Sequence, residues 1–229
     1  MARAESATRH HSIVFIGDAD GSDLGGNLSN DMDGDTQHFE PQPGGRDPAP
    51  PGLAVLQDFL NTTDLEEGRD DLLDTDGLKT WLIDHGLAPA DLPIREGDRR
   101  RLVMFREALR DVIDGRDHGG IDRDALDVVA DAARDAGVRV SLGADGRAAL
   151  TPAADGLDGL VAKLLADIAT AQLDGTWDRL KVCPRDVCRW VFYGGSKNRS
   201  GRWCTMAICG SRIKSARLRK RRAQVRASA

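Results

Sequence analysis

The chain has 229 residues, with 32 Lys and Arg against 37 Asp and Glu, so its formal net charge is −5 at pH 7. That length suits one domain, or one with a small satellite, and a 40% hydrophobic content is enough for a packed core over part of the chain. As an average, the mild acidity argues against a nucleic-acid binder, and no run approaches the roughly 18 apolar residues of a membrane span.

Residues 1 to about 50 are rich in Asp, Gly, Ser, Asn and Pro, ending in PQPGGRDPAPPG, and are too polar to offset chain entropy. They predict a mostly disordered acidic leader with a short strand at Ser12 to Ile16. Its apolar run, Ile13 to Ile16, falls short of the roughly 7 to 15 residues of a secretory core, and a cytoplasmic protein is therefore expected. The fragments DADGSD and DMDGD lack the glycine and glutamate that a calcium loop needs at positions six and twelve.

Leu53, Leu56, Phe59 and Leu60 then recur at helical spacing, marking a first helix that stops near Asn61, Thr62 and Thr63. A second begins after Thr75 or Asp76 and ends at Gly86, where a left-handed cap suits glycine. In the third, Leu102, Phe105, Leu109, Val112 and Ile113 form the apolar face, Arg99, Arg100, Arg106 and Arg110 lie largely off it, and Gly115 closes it. The fourth spans Arg123 to Ala136, with Leu126, Val129 and Ala133 inward and Gly137 as its stop. VRVSL and RAALT, either side of Gly143 to Gly146, read as a β-hairpin. After Pro152 a fifth helix carries Leu157, Leu160, Val161, Leu164, Leu165 and Ile168, and leads through Trp177 to the first cysteine. The expected fold is mainly α (α+β): a helical domain with one small β-hairpin, followed by a small four-cysteine module and a basic C-terminal helix.

The four cysteines, Cys183, Cys188, Cys204 and Cys209, form the pattern C-x(4)-C-x(15)-C-x(4)-C. Two close pairs joined by a mid-length loop suit one tetrahedral zinc ion, each pair supplying two thiolates from one turn. Two disulfides are the competing reading, against which a reducing compartment argues. With four cysteines and no acid between residues 189 and 203, no coordination position is left for water, so the zinc is expected to be structural. Trp190, Phe192 and Trp203 are expected to form the small core around it, while Tyr193 is better placed to stack on bases.

The charge is divided along the chain. Residues 178–229 hold 15 basic and 2 acidic side chains, a local charge of +13, against 17 and 35, or −18, in residues 1–177. Arg212, Lys214, Arg217, Arg219 and Lys220 fall on every side of the last helix, leaving little apolar stripe beyond Ile213 and Ala216. Such a helix repels itself in isolation, and the repulsion becomes attraction with counterion release on a phosphate backbone. With Arg189, Lys197, Arg199 and Arg202 from the cysteine module, these are the candidate nucleic-acid contacts.

The segment CPRDVCRWVFYGGSKNRSGRWCTMAICGSRIK resembles the CGNR zinc finger, named for the Cys-Gly-Asn-Arg around its last cysteine. Ser211 stands where the family has asparagine, and Gly194 where it usually has aspartate. The body, through LAVLQDFLNTTD, DLLDTDGLKTWLIDHGL and the arginine-rich third helix, resembles the ABATE domain that commonly precedes this finger. The resemblance spans about residues 51–222 and divides the chain into a leader (1–50), an ABATE-like domain (51–180), a finger with its basic helix (181–222) and a tail (223–229). It implies a stress-associated bacterial transcription regulator that binds DNA. Association with the nucleoid and a homodimer through the body are the attendant expectations. RNA binding, and a protein-interaction module whose basic end meets an acidic partner or the chain's own leader, are the alternatives. An enzyme is not expected: there is no Ser/His/Asp order and no phosphate-cradling glycine loop. His85 and His118 read as surface residues near helix ends or loops.

Overall fold

The computed structural model describes residues 42–227, without the side chains of residues 216, 217, 220, 222, 223 and 225–227. The predicted leader strand and both calcium-like fragments lie outside the described residues. Helix α1 (Pro51–Leu60) starts on a proline turn and is buried from Leu53 to Leu60. Two short strands, β1 (Thr63–Asp64) and β2 (Arg69–Asp70), pair antiparallel before α2 (Thr75–Asp84), which Asp74 caps by accepting from the Gly77 N–H at 2.8 Å. Gly86, at φ +62°, makes the expected left-handed exit. Among the described residues no helix is long and apolar enough to cross a membrane.

Helix α3 (Glu96–His118) runs past Gly115. That glycine is required for another reason: a Cβ there would lie 2.6 Å from the Gly120 carbonyl oxygen, so it lets the chain fold back closely after the helix ends. Helix α4 (Arg123–Ala136) has the predicted bounds and a different inward face. Ala125, Ala132 and Ala136 pack inward, Val129 is half-buried and Leu126 is 44% exposed, because the small stripe lets the helix approach its neighbours closely. The hairpin of β3 (Val138–Leu142) and β4 (Ala148–Pro152) packs beside α5 (Gly156–Asp174), which ends at a left-handed Gly175.

Helices α1, α3 and α5 surround one core that continues through Trp177 into the cysteine module. Strands β5 (Leu180–Val182) and β6 (Val191–Tyr193) pair in the register Leu180↔Tyr193, and Leu180, Val182 and Val191 belong to the core of the body. A polar fastening reinforces this continuity. Asn61, fully buried at the end of α1, donates from Nδ2 to the Val191 carbonyl and accepts from the Val191 N–H, both at 2.8 Å, as a neighbouring strand would. Gln57, one turn earlier, donates to the same carbonyl at 3.2 Å and accepts the Ala49 N–H at 2.7 Å.

Replacing Asn61 by Ala leaves the Val191 N–H buried without a partner, while its carbonyl keeps Gln57. An unsatisfied buried group costs about 1–3 kcal/mol. The Asn61→Ala variant is therefore expected to unfold at lower urea by that amount and to exchange the Val191 amide faster. Unchanged protection at Val191 would mean that Asn61 does not carry the fastening.

The largest departures from the expected surface are charged. Arg106 and Arg110, placed off the apolar face by periodicity, are 2% and 1% exposed. They flank Phe105 and Leu109, and the end of α1 and the β1–β2 hairpin close over them. Arg106 forks onto both Asp70 oxygens at 2.8 Å and donates to Thr62 Oγ1 at 2.9 Å, while Arg110 donates to the Leu60 carbonyl. His85 is also buried rather than on the surface. Its ring stacks on Trp81 at 4.3 Å, with Nε2 2.5 Å from Asp58 and Nδ1 2.7 Å from the Trp81 carbonyl. Burial alone would lower its pKa, but the hydrogen bonds to Asp58 and Trp81 outweigh that and raise it. His118 is exposed and meets Asp114 at 2.8 Å.

Candidate metal centre and basic face

The first cysteine pair closes the tip of the β5–β6 hairpin. The Cys183 N–H donates to the Trp190 carbonyl at 2.9 Å, and Cys188 and Arg189 both donate back to Arg185 O, at 2.8 and 3.1 Å. Arg189 then takes φ +49°, a left-handed step that turns the chain into β6. The second pair sits on a different turn. Thr205 accepts the Ile208 N–H at 3.0 Å and opens a π-helical turn (Met206–Gly210), in which the Gly210 N–H reaches back to Thr205 O. This wide turn accounts for the four-residue gap between Cys204 and Cys209 and runs directly into α6 (Ser211–Ala227). The start of the basic helix is thereby tied to the fourth cysteine.

All four sulfurs are buried and lie within 4.8 Å of one another. Cys188 and Cys204 are 3.6 Å apart and Cys204 and Cys209 3.5 Å, too far for disulfides, and all four cysteines are free. Ligands on a tetrahedral zinc with bonds of about 2.3 Å would stand about 3.8 Å apart. Hydrogen bonds from the Cys188 and Cys204 thiols hold the Cys183 sulfur down at about 2, and the same cluster pushes the Cys188 thiol up to about 12 and that of Cys204 higher still. A cation bound among the four sulfurs would favour their thiolate forms. The donor set fits one structural zinc, which when bound would fix both turns and leave no position open for substrate. Arg185 adds a hydrogen bond to Cys209 Sγ at 3.4 Å.

Trp190, Phe192 and Trp203 pack around the cysteines as predicted. Tyr193, singled out for stacking on bases, is half-buried against the core of the body. Several supports had no sequence signal. Arg46, in a Pro- and Gly-rich stretch read as leader, donates to Cys204 O at 2.7 Å and Trp203 O at 3.0 Å, with its guanidinium 5.1 Å from the Phe192 ring centre. Residues 42–50 thus form a strap across the finger. Arg179 holds the carbonyls of Gly194 and Ser196, and Lys181 those of Arg199 and Gly201, so two cations of the basic end brace the loop. Gly194 itself donates to Arg179 O at 2.7 Å, and Ser211 Oγ donates to Met206 O at 3.1 Å.

The candidate contact residues whose side chains are described fall into two groups. Lys197, Arg202, Lys214 and Arg219 are exposed, and none pairs with an acid among the described residues. Arg189 is held by Asp111 at 2.5 Å, Arg199 by Asp178 at 3.3 Å and Arg212 by Glu66. The side chains of Arg217 and Lys220 lie outside the described set, although both residues sit within α6.

Residues 53–174 match the family model described as a putative stress-induced transcription regulator (ABATE), and residues 179–222 match the CGNR zinc finger. Neither description is that of an enzyme family. No curated relative matches the chain.

Proposed function

We propose, from the premise that this chain belongs to the ABATE family of stress-induced transcription regulators and ends in a CGNR zinc finger, that it is a DNA-binding regulator. The observation that carries the reading is the continuity of Cys209, through the π-helical turn, with the basic helix α6. A zinc ion held by Cys183, Cys188, Cys204 and Cys209 would fix the direction of that helix. Lys197 and Arg202 on the finger, and Lys214 and Arg219 on α6, pair with no acid among the described residues and are the cations for backbone phosphates, with Arg217 and Lys220 beside them in sequence. Arg189, Arg199 and Arg212 contribute after exchanging an internal carboxylate. DNA is favoured over RNA because the finger's aromatic side chains are taken up in packing, Tyr193 included. Action in the cytoplasm at the nucleoid, and a homodimer through the body, complete the proposal; the exposed Leu126, Val140 and Leu142 support the homodimer.

Binding of zinc-loaded protein to a short duplex, followed by fluorescence anisotropy across a salt series, tests this reading. The logarithm of affinity is expected to fall with the logarithm of salt at about −0.9 per phosphate neutralised. Lys214→Ala and Arg202→Ala should each reduce the slope by about one. Salt-insensitive binding, or none at low salt with zinc loaded, counts against the proposal.

A further inference from the structure

Two guanidinium groups of the basic end converge on one carboxylate of the body. Glu66, in the turn between β1 and β2, accepts from Arg185 Nη1 at 2.9 Å on one oxygen and from Arg212 Nη1 on the other. Arg185 comes from the first cysteine turn and is also anchored to Cys209 Sγ, whereas Arg212 is the second residue of α6. The two arginines therefore come from the two different cysteine turns, and a metal bound by both turns would fix their spacing. The hydrogen bond from Arg185, with that from Arg212, holds the Glu66 carboxyl below its ordinary range despite partial burial.

The three groups differ in how firmly they are held. The Arg185 side chain is 16% exposed, Glu66 36% and Arg212 56%. Glu66 sits in a turn between two strands of two residues each, its N–H bonded to Asp64 Oδ1 at 2.9 Å. A cleft of about 470 Å³ separates this turn from the finger, lined by Glu66, Trp190, Cys204, Cys209 and Arg212 among others. A phosphodiester presents two anionic oxygens on one centre, as a carboxylate does, and two guanidiniums that converge on one such group are suited to either. The Arg212–Glu66 pair is the exposed one, and such a pair contributes at most about 1 kcal/mol, so releasing Arg212 from Glu66 meets little resistance.

We infer that Arg185 and Arg212 form a phosphate site that Glu66 fills from within, so that nucleic acid binds this face by exchanging the body's carboxylate for a backbone phosphate. This rests on the DNA-binding reading for its natural ligand; the site itself does not. The body thereby sets the affinity of the finger, because any movement of the β1–β2 turn uncovers or covers two cations beside the metal.

The test uses the full zinc-loaded chain in three forms, wild type, Glu66→Gln and Glu66→Gln/Arg212→Ala, with pyrophosphate and a short DNA duplex as separate probes at low salt. Glu66→Gln should tighten pyrophosphate binding by about fivefold, the equivalent of one exposed ion pair released, and the added Arg212→Ala should abolish that gain. Duplex binding should follow the same order. If Glu66→Gln leaves pyrophosphate binding unchanged or weakens it, Glu66 is a brace and the inference falls, whether or not DNA binds. If the pyrophosphate pattern holds while no form binds duplex, the phosphate site stands and the DNA reading falls.

Discussion

Chelating the metal is expected to unfold the finger and to lower the stability of the helical body with it. The 27 residues from Cys183 to Cys209 enclose a core of four cysteines, Trp190 and Phe192, with Trp203 packed against it, far below what sustains a fold without metal. Zinc binding to finger peptides is worth about 10–16 kcal/mol at neutral pH, and here that free energy would stand in for the missing core. The consequence for the body follows from shared residues. Leu180, Val182 and Val191 lie in the core of the body, and Val191 is fastened to Asn61 by two hydrogen bonds. A finger that merely dangled would melt alone. Here, addition of a strong chelator should shift the near-ultraviolet signal of Trp190 and Trp203 and lower the thermal midpoint of the remaining helical signal together. Cys204→Ser should give the same result without chelator and should not bind zinc stoichiometrically, because Cys204 touches both Cys188 and Cys209. A body transition indifferent to the metal would show that the junction does not transmit stability.

The parts of this molecule legible in the sequence are those governed by local rules. Apolar residues three and four apart placed α1, α3 and α5, and glycines marked the ends of α2 and α4. The cysteine spacing foretold the cluster because four thiols in two close pairs have few other uses. What escaped were polar groups whose partners lie far along the chain. Gln57 and Asn61 are one turn apart on α1 and would pass for a solvated stripe, yet both meet Val191, about 130 residues later. Arg46 sits among prolines and glycines that read as disorder, but its guanidinium finds two carbonyls and a ring on the finger. Helix α4 misled differently: amphipathic counting favours large side chains inward, while alanines allowed the closer approach. In the basic end, counting charges identified the face but not its internal counterions. Asp111, Asp178 and Glu66 take three of the candidate arginines, a pairing that only the fold reveals.

The arginines of α3 lead to the second large effect. In the pair of Arg106 with Asp70, the cation is the buried member: its side chain is 3% exposed, against 28% for the carboxylate. Removing either partner of a buried pair costs about 3–5 kcal/mol, chiefly through the charge left behind. Asp70→Ala leaves Arg106 and Arg110, both buried, to share Glu107, at 2.9 and 3.3 Å. Burial, helped by the charge of the neighbouring Arg106, already draws Arg110 down to about 10. Arg106→Met instead fills much of the same volume and leaves a carboxylate that water can reach, with the Thr62 hydroxyl still donating to Phe59 O at 2.8 Å. Asp70→Ala should therefore destabilise by about 3–5 kcal/mol in urea unfolding, Arg106→Met by less, and the double variant should recover part of the Asp70→Ala loss. The pH dependence carries the same signature. Burial raises the Asp70 pKa, but the hydrogen bond and charge of Arg106 outweigh it and leave it lowered in the folded state. Its contribution is then present above the unfolded value of about 3.9 and disappears as pH falls through the folded one. The Arg106→Met variant should lose stability less steeply on acidification than the wild type. A double variant no more stable than Asp70→Ala alone would mean that the stranded guanidinium is not the source of the cost.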